Sequence, residues 1–353
     1  MTVCILGENL STLALAQGLV KIGIDVDIIS NKKSKNYPKS RTLGISKSNI
    51  DFFCNEICNI DELIWNIKNI KIFSDNDLKN ELILFKNENY LFSIIRNYEL
   101  QKILVKNLNK NKRFKRKFFF KNNNYDLIIN SDPSHNLTKK YFLKKIEKNY
   151  DSYAYTSILK HKKKNNNQAV QIFTKNGPIA FLPLSTTETS LVYSFNNKIR
   201  ITDKNFVELV KKFNLDMKNL KFSEINHFTL KSSNLRSYYY KNILAFGDML
   251  HRIHPLAGQG YNMTLRDVKV LIELFKNRIN LGLPIDQTIN SDFEKKTKSK
   301  NFLFSKGIDL IHELFNIERK LNNKLLNETI SLVGNNKKLN NIFKLIADYG
   351  SIY

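Results

Sequence analysis

The chain has 353 residues, enough for two domains or for one large α/β domain carrying an inserted sheet, and too many for a small binding module. Lysine plus arginine outnumber aspartate plus glutamate 57 to 32, a formal charge of +25. The lysines are scattered with asparagine and isoleucine through nearly every segment, so the charge reads as solvated surface and assigns no nucleic-acid partner. Cys4, Cys54 and Cys58 exclude a disulfide framework, form no C-x-x-C zinc pair and fit a reducing compartment. Strand character from Val3 onward argues against a targeting peptide, and no apolar run reaches the roughly 18 residues of a bilayer span. The expected location is cytoplasmic, with at most a peripheral contact on the inner face of a membrane.

Thr2 to Leu6 reads as a buried strand, Ser11 to Ile22 as a helix with Leu13, Leu15, Ala16, Leu19 and Val20 on its apolar side, and Asp25 to Ile29 as a second strand. This is a βαβ unit. Such units often carry G-x-G-x-x-G in the first turn, to seat a pyrophosphate, and an acid after the second strand, to hold a ribose. Here the turn is Gly7-Glu8-Asn9-Leu10-Ser11-Thr12, with Ser30 in place of the acid. Only the first glycine is present: Asn9 crowds the pyrophosphate approach, and Thr12 puts a branched Cβ where helix and strand should touch. Taken alone, the unit is equally well a plain structural one.

Arg41-Thr42-Leu43-Gly44-Ile45-Ser46 follows, then a helix through Ile50, Phe53, Cys54 and Ile57. Residues 70–95 alternate as strands, and Tyr98 to Leu108 returns to helical spacing. Lys112 to Phe120 mixes cations with aromatics, as single-strand nucleic acid grooves do, but with no second such cluster a basic turn entering an edge strand is the preferred reading. Tyr125 to Asn130 is another buried strand, ending in Ser131-Asp132-Pro133-Ser134. From about 151 to 230 the pattern is that of an antiparallel sheet. After Ser299 it is helical, with Ile308, Ile311, Leu314 and Phe315 on one stripe.

Residues 247–267, GDMLHRIHPLAGQGYNMTLRD, are the most informative stretch. Three of the chain's twelve glycines fall between Gly247 and Gly260. A strand-like run, Asn242 to Phe246, leads into them, and a helix pattern runs from Tyr261 through Leu265, Val268 and Ile272. Gly258 and Gly260 bare the backbone where a helix N-terminus presents unpaired N–H groups to an electron-rich ligand. Hydrolase, P-loop and His-Glu-x-x-His motifs are absent, and His251-x-x-His254 lacks a third ligand, so no metal is expected. Arg41, Asp132, Gly247-Asp248, Pro255 and Gly258-Gln259-Gly260 are far apart in sequence, as befits an extended cofactor.

That segment resembles the G-D-x-x-H-x-x-x-P-x-x-G-Q-G-x-N-x-x-x-x-D stretch of FAD-dependent aromatic hydroxylases, and His-Pro-x-Ala-Gly-Gln-Gly is similar to the ubiquinone-biosynthesis group in particular. Arg41 to Ser46 resembles an early arginine motif, Asn97 falls at a flavin-contacting amide, and residues 173–184 are similar to a substrate-sheet signature. The resemblance runs from residue 2 to about 315. It implies an α/β fold with an inserted antiparallel sheet, para-hydroxybenzoate-hydroxylase-like: a Rossmann-like FAD-binding domain (1–70, 96–150, 240–300), a β-sheet substrate domain (71–95, 151–239) and C-terminal helices (301–353).

The activity implied is monooxygenation, with NAD(P)H reducing FAD and O₂ supplying one oxygen to the ring of a polyprenylated phenol, a small hydrophobic aromatic substrate. Pro255 would pack at the isoalloxazine and the N–H groups from Gly258 to Gly260 would stabilise its negative charge; these are the catalytic candidates. Gly7, Asn9, Thr12 and Asp132 fall to the pyrophosphate, Gly247 and Asp248 to the ribityl chain, and Arg41, Asn97, Gln259 and Asn262 complete the cofactor set. His251 and His254 are expected to pack or orient the loop. The departures, at Asn9, Thr12, Ser30 and Pro133, all lie in the adenosine and pyrophosphate half. The alternative is a non-catalytic scaffold of the same fold in a membrane-associated quinone-biosynthesis complex. The C-terminal helices either dock to a membrane or partner or simply close the core.

Overall fold

The computed structural model describes residues 2–30, 37–121, 125–196, 200–213, 218–255, 258–321 and 337–350. In chain order the elements are β1 (Thr2–Leu6), α1 (Leu10–Lys21), β2 (Asp25–Ile29), β3 (Thr42–Ser46), α2 (Lys47–Phe52), β4 (Trp65–Ile67), β5 (Asn69–Ser74), β6 (Ile83–Lys86), β7 (Phe92–Arg96), α3 (Asn97–Asn109), β8 (Phe114–Lys117) and β9 (Leu127–Asn130). They continue with α4 (Asn136–Tyr141), β10 (Lys145–Lys160), β11 (Gln168–Thr174), β12 (Gly177–Pro183), β13 (Glu188–Phe195), α5 (Asp203–Lys212), β14 (Lys221–Phe222), β15 (Asn226–Leu235), β16 (Tyr239–Tyr240), β17 (Ile243–Ala245), β18 (His251–Arg252), α6 (Gln259–Asn280), α7 (Thr288–Leu321) and α8 (Lys337–Tyr349).

The apolar runs of β1, β2 and β9 are buried on both faces, which a sheet covered by helices on each side requires. They form the centre of a six-stranded sheet ordered β16-β17-β9-β1-β2-β8, parallel from β17 to β8. β8 is its outer strand, so the cation-rich run is a sheet edge, followed by the exposed Phe118 and Phe119. A Cβ on Gly18 of α1 would fall 2.2 Å from Ile272 Cδ1, so this glycine lets α1 and α6 pack closely across one face.

The second sheet runs β18-β15-β10-β13-β12-β11-β5-β6, with β14 pairing β10. Its own core, around Tyr155, Ile172, Phe181, Tyr193 and Phe206, is closed by α5. The strands expected together over 70–95 divide: β5 and β6 join this sheet, whereas β7 pairs with β3 and β4 in a separate three-stranded sheet. Gly177, at φ +119°, starts β12 where a Cβ would stand 2.0 Å from the Ser194 carbonyl oxygen. Gly177→Ala is therefore expected to destabilise the fold by about 2–4 kcal/mol. An unchanged urea midpoint would refute that.

The C-terminal helices close the core on the side of the 253–263 segment. Phe304, Ile308 and Ile311 of α7 and Ile346 of α8 pack on Ile253 and Met263. The side chains of Leu314 and Phe315, and all of 322–336, lie outside the described residues. Asp348 of α8 accepts from Ser48 N at 2.9 Å through its carboxylate, and its carbonyl accepts from Ser46 and Ser48 hydroxyls at 3.2 and 3.0 Å. Among the described residues no helix is long and apolar enough to cross a membrane.

Candidate functional site

Three parallel strands end side by side: β1 in Gly7, β9 in Ser131 and Asp132, β17 (by way of Phe246) in Gly247 and Asp248. In open α/β sheets the crevice beyond such carboxyl ends is where ligands sit. Gly7 and Gly247 have φ of +91° and +66°. A Cβ on Gly7 would lie 3.2 Å from Asp132 N, and one on Gly247 3.3 Å from Ser131 Oγ, so both glycines let the turns converge. Asp248 is exposed at the mouth, and its charge and that of Arg41 both act on the Tyr37 hydroxyl, whose pKa is raised mainly by burial.

The first turn is closed by its own side chains. Asn9 is the N-cap of α1, its Oδ1 accepting from Ser11 N and Thr12 N, each at 3.1 Å, while Thr12 Oγ1 accepts from Asn9 N at 2.9 Å. Leu10 N donates to Tyr37 OH at 3.4 Å. Asn9 Nδ2 is tied to Ser131 Oγ at 2.8 Å. The neighbouring Glu8 is held by Arg116 Nε and Nη2 at 2.9 and 3.0 Å. Asp132, expected beside a pyrophosphate, turns its Oδ1 onto Ser134 N and Oγ at 2.8 and 2.6 Å.

The N-terminus of α6 is the opposite case. Gly258 caps it in the left-handed region at φ +64° with no side-chain cap, and Gly258 N reaches back to Pro255 O at 3.2 Å. A Cβ on Gly258 would meet nothing closer than Gly44 N at 3.8 Å, and one on Gly260 only Ile253 Cγ1 at 3.9 Å. These are ordinary van der Waals distances, so no clash demands a glycine at either position, and the backbone N–H groups at the start of this 22-residue helix meet no side-chain cap. Gln259 Oε1, in the first turn of α6, and Asn97 Oδ1, at the start of α3, are buried without a hydrogen-bond partner among the described residues. An unsatisfied buried amide oxygen costs about 1–3 kcal/mol, and a bound donor relieves it.

Arg41 and Asn97 are brought together by Asn97 N donating to Arg41 O at 3.1 Å, and the Arg41 guanidinium lies over the Phe228 ring at 4.7 Å. Ser40 and Thr42 on either side reach the second sheet, through Asn226 Nδ2 at 2.9 Å and Ser190 Oγ at 2.7 Å. Arg41 thus stands at the junction of the two sheets. Asn262, expected to bind cofactor, is placed differently: its Nδ2 donates to Gly44 O at 2.9 Å and its Oδ1 accepts from Ser46 N at 2.9 Å and Asn49 Nδ2 at 3.0 Å. The buried amide holds β3 against α6 because one more backbone strand would otherwise be needed there.

Behind the loop, His251 Nε2 and Asp267 Oδ2 are 2.5 Å apart, both side chains almost wholly buried, and Asn301 Nδ2 donates to Asp267 Oδ1 at 2.9 Å. His254 meets the Tyr150 ring edge-on at 4.9 Å. Both histidines are buried. Arg266 lies over Phe304 at 4.6 Å, its pKa pushed down to about 10 by burial, and so stays charged at neutral pH.

The two halves of the site differ in their fit to FAD. The end expected to hold the isoalloxazine is compatible with it: a helix start without a side-chain cap, two glycines where a Cβ would meet no clash, and two buried amide oxygens with no partner among the described residues. The pyrophosphate half is closed as it stands. Sequence reasoning missed Tyr37, the Glu8–Arg116 pair and the His251–Asp267–Asn301 chain. Only Asp267 carried a signal, as the acid ending the 247–267 segment.

This fold is that of the FAD-dependent aromatic monooxygenases. It superposes on p-nitrophenol 4-monooxygenase PnpA from Pseudomonas putida with TM-score 0.80 at 12% identity over 98% of this chain and 97% of that one. Klebsiella pneumoniae HpxO complexed with FAD and uric acid gives TM-score 0.73 at 12% identity, over 98% of this chain and 97% of that one. Residues 174–280 match the FAD binding domain family. Over part of its length the sequence is similar to ubiquinone-biosynthesis hydroxylases. It is 28% identical to the ubiquinone biosynthesis monooxygenase COQ6 of Dictyostelium discoideum over 49% of this chain and 42% of that protein. It is 32% identical to the 3-demethoxyubiquinol 3-hydroxylase of Escherichia coli over 41% of this chain and 39% of that protein. The matches span about two fifths of these relatives' lengths.

Proposed function

We propose that this chain is an FAD-dependent monooxygenase hydroxylating the aromatic ring of a polyprenylated phenol in ubiquinone biosynthesis, with NAD(P)H as reductant. The observation that carries the reading is the N-terminus of α6, without a side-chain cap and lying against Gly44 of β3, the strand that begins next to Arg41. The likeness to curated ubiquinone-biosynthesis hydroxylases supports the substrate class. When bound, the flavin supplies the redox chemistry and the activation of O₂. The protein's part is to hold and polarise. The N–H groups of the first turn of α6 favour negative charge at the flavin's pyrimidine end, Gln259 and Asn97 accept from ring N–H groups, and Pro255 fixes the loop against the ring. Asp248 accepts from ribityl hydroxyls.

A polyprenyl tail places the substrate in a bilayer, so the basic chain is assigned a peripheral position on an anionic cytoplasmic membrane surface. Its partner there is lipid or a quinone-biosynthesis complex. The experiment is to load the purified protein with FAD, supply NAD(P)H and a short-chain polyprenyl phenol under ¹⁸O₂, and follow label into the ring. Labelled product is expected. NAD(P)H consumption without ring label would reject the substrate, whereas no flavin absorbance at saturating FAD would select the scaffold reading, which the closed first turn favours.

A further inference from the structure

Among the described residues, the N-termini of α1 and α6 are in opposite states. At α6 no side chain caps the backbone and buried acceptors are unmet. At α1 the N–H groups of Asn9, Leu10, Ser11 and Thr12 are all engaged, by Thr12 Oγ1, Tyr37 OH and Asn9 Oδ1. The Asn9 carboxamide oxygen stands where a phosphate oxygen would accept those same donors. Its nitrogen is anchored on Ser131, and Thr12 Oγ1 also donates to Gly7 O at 3.0 Å, so the cap is fixed from two sides. Two carboxylates, Glu8 and Asp132, flank the turn and are drawn away from it by Arg116 and Ser134.

Resting on the flavin reading above, we infer that Asn9 is a built-in competitor for the pyrophosphate of FAD, so that this chain selects its cofactor through the isoalloxazine and ribityl half. The adenosine diphosphate half adds little affinity, because each hydrogen bond it makes at α1 replaces one the protein already has. FAD, FMN and riboflavin are therefore accepted with similar affinity. Asn9 sets cofactor specificity, and it acts without touching the reacting end of the flavin. A glycine at this position serves as N-cap almost as well as asparagine, so the helix survives its removal while the donors are released.

The test titrates the full-length apoprotein with FAD, FMN and riboflavin by flavin fluorescence, for the parent, Asn9→Gly and Asn9→Asp, with circular dichroism as the folding control. In the parent, the FAD and riboflavin dissociation constants are expected within about tenfold of each other. Asn9→Gly should tighten FAD by about ten- to a hundredfold, the worth of one or two charge-assisted hydrogen bonds, and leave riboflavin unmoved. Asn9→Asp keeps the cap and adds a negative charge, so it should weaken FAD by roughly tenfold or more and again spare riboflavin. A parent that binds FAD more than about a hundredfold tighter than riboflavin, or an Asn9→Gly that fails to tighten FAD, overturns the inference and leaves the flavin reading standing. A parent that binds none of the three overturns both.

Discussion

Gly258→Leu is expected to remove flavin binding from a protein that still folds. Gly258 sits at φ +64°, where an L-residue carries a penalty of about 1–2 kcal/mol. A Cβ there makes ordinary contact, with Gly44 N at 3.8 Å, so no clash at that carbon adds to the penalty. The leucine lies across the uncapped start of α6, the surface assigned to the isoalloxazine. Flavin affinity is expected to fall by more than about a hundredfold, while the thermal midpoint drops only a few degrees. Parent-like oxidised-flavin bands in this variant would show that the N-terminus of α6 is not the flavin seat.

The largest effect on stability is expected at Asp267. Its carboxylate is almost wholly buried and takes hydrogen bonds from His251 and Asn301, side chains buried in turn. In Asp267→Ala both donors lose their acceptor where water does not reach, and a cavity opens on α6. A loss of about 3–5 kcal/mol follows, enough to consume much of an ordinary domain's stability. Urea unfolding measures it. Because His251 leads directly into the Pro255 loop, the surviving folded fraction should also bind flavin more weakly. A change below about 1 kcal/mol would mean that the pair has no structural role.

The legible parts of this protein are those whose signal is local. β1, α1 and β2 could be placed because each buries a short apolar run bounded by turn residues, and β9 and β17 for the same reason. The strand, loop and helix over 243–280 stood out because glycines cluster there in a chain that has few. The assignment of the 112–120 run to an edge strand rested on sequence and agrees with the place of β8 in the sheet. What could not be read depends on partners remote in sequence. Nothing in residues 92–96 distinguishes pairing with β3 from pairing with β6, since both leave the same alternation. Short α4 has too few residues to show a period, whereas α5 carries a helical one, with Phe206 and Val210 buried four apart, inside a region read as sheet throughout. Asn9 looked like a lost glycine; its side chain caps the turn locally through Ser11 N and Thr12 N, and what could not be read is the tie of its nitrogen to Ser131, 122 residues away. Asn262 looked like a ligand contact, and its partners are on β3, more than 200 residues earlier.

The strand order has a consequence for how the protein is made. The crevice needs β17 beside β9, yet the ribosome delivers β1, β2, β8 and β9 first and then β10 to β15 of the second sheet before β17 appears. Until then the apolar flank of β9 is an unfinished edge, exposed for seconds at ordinary elongation rates. A nascent chain stalled anywhere between β9 and β17 should accordingly be a substrate for chaperones. Cofactor can be captured only after synthesis has passed α6, because Asp248 and the open helix that would receive the flavin emerge later than the two strands they complete.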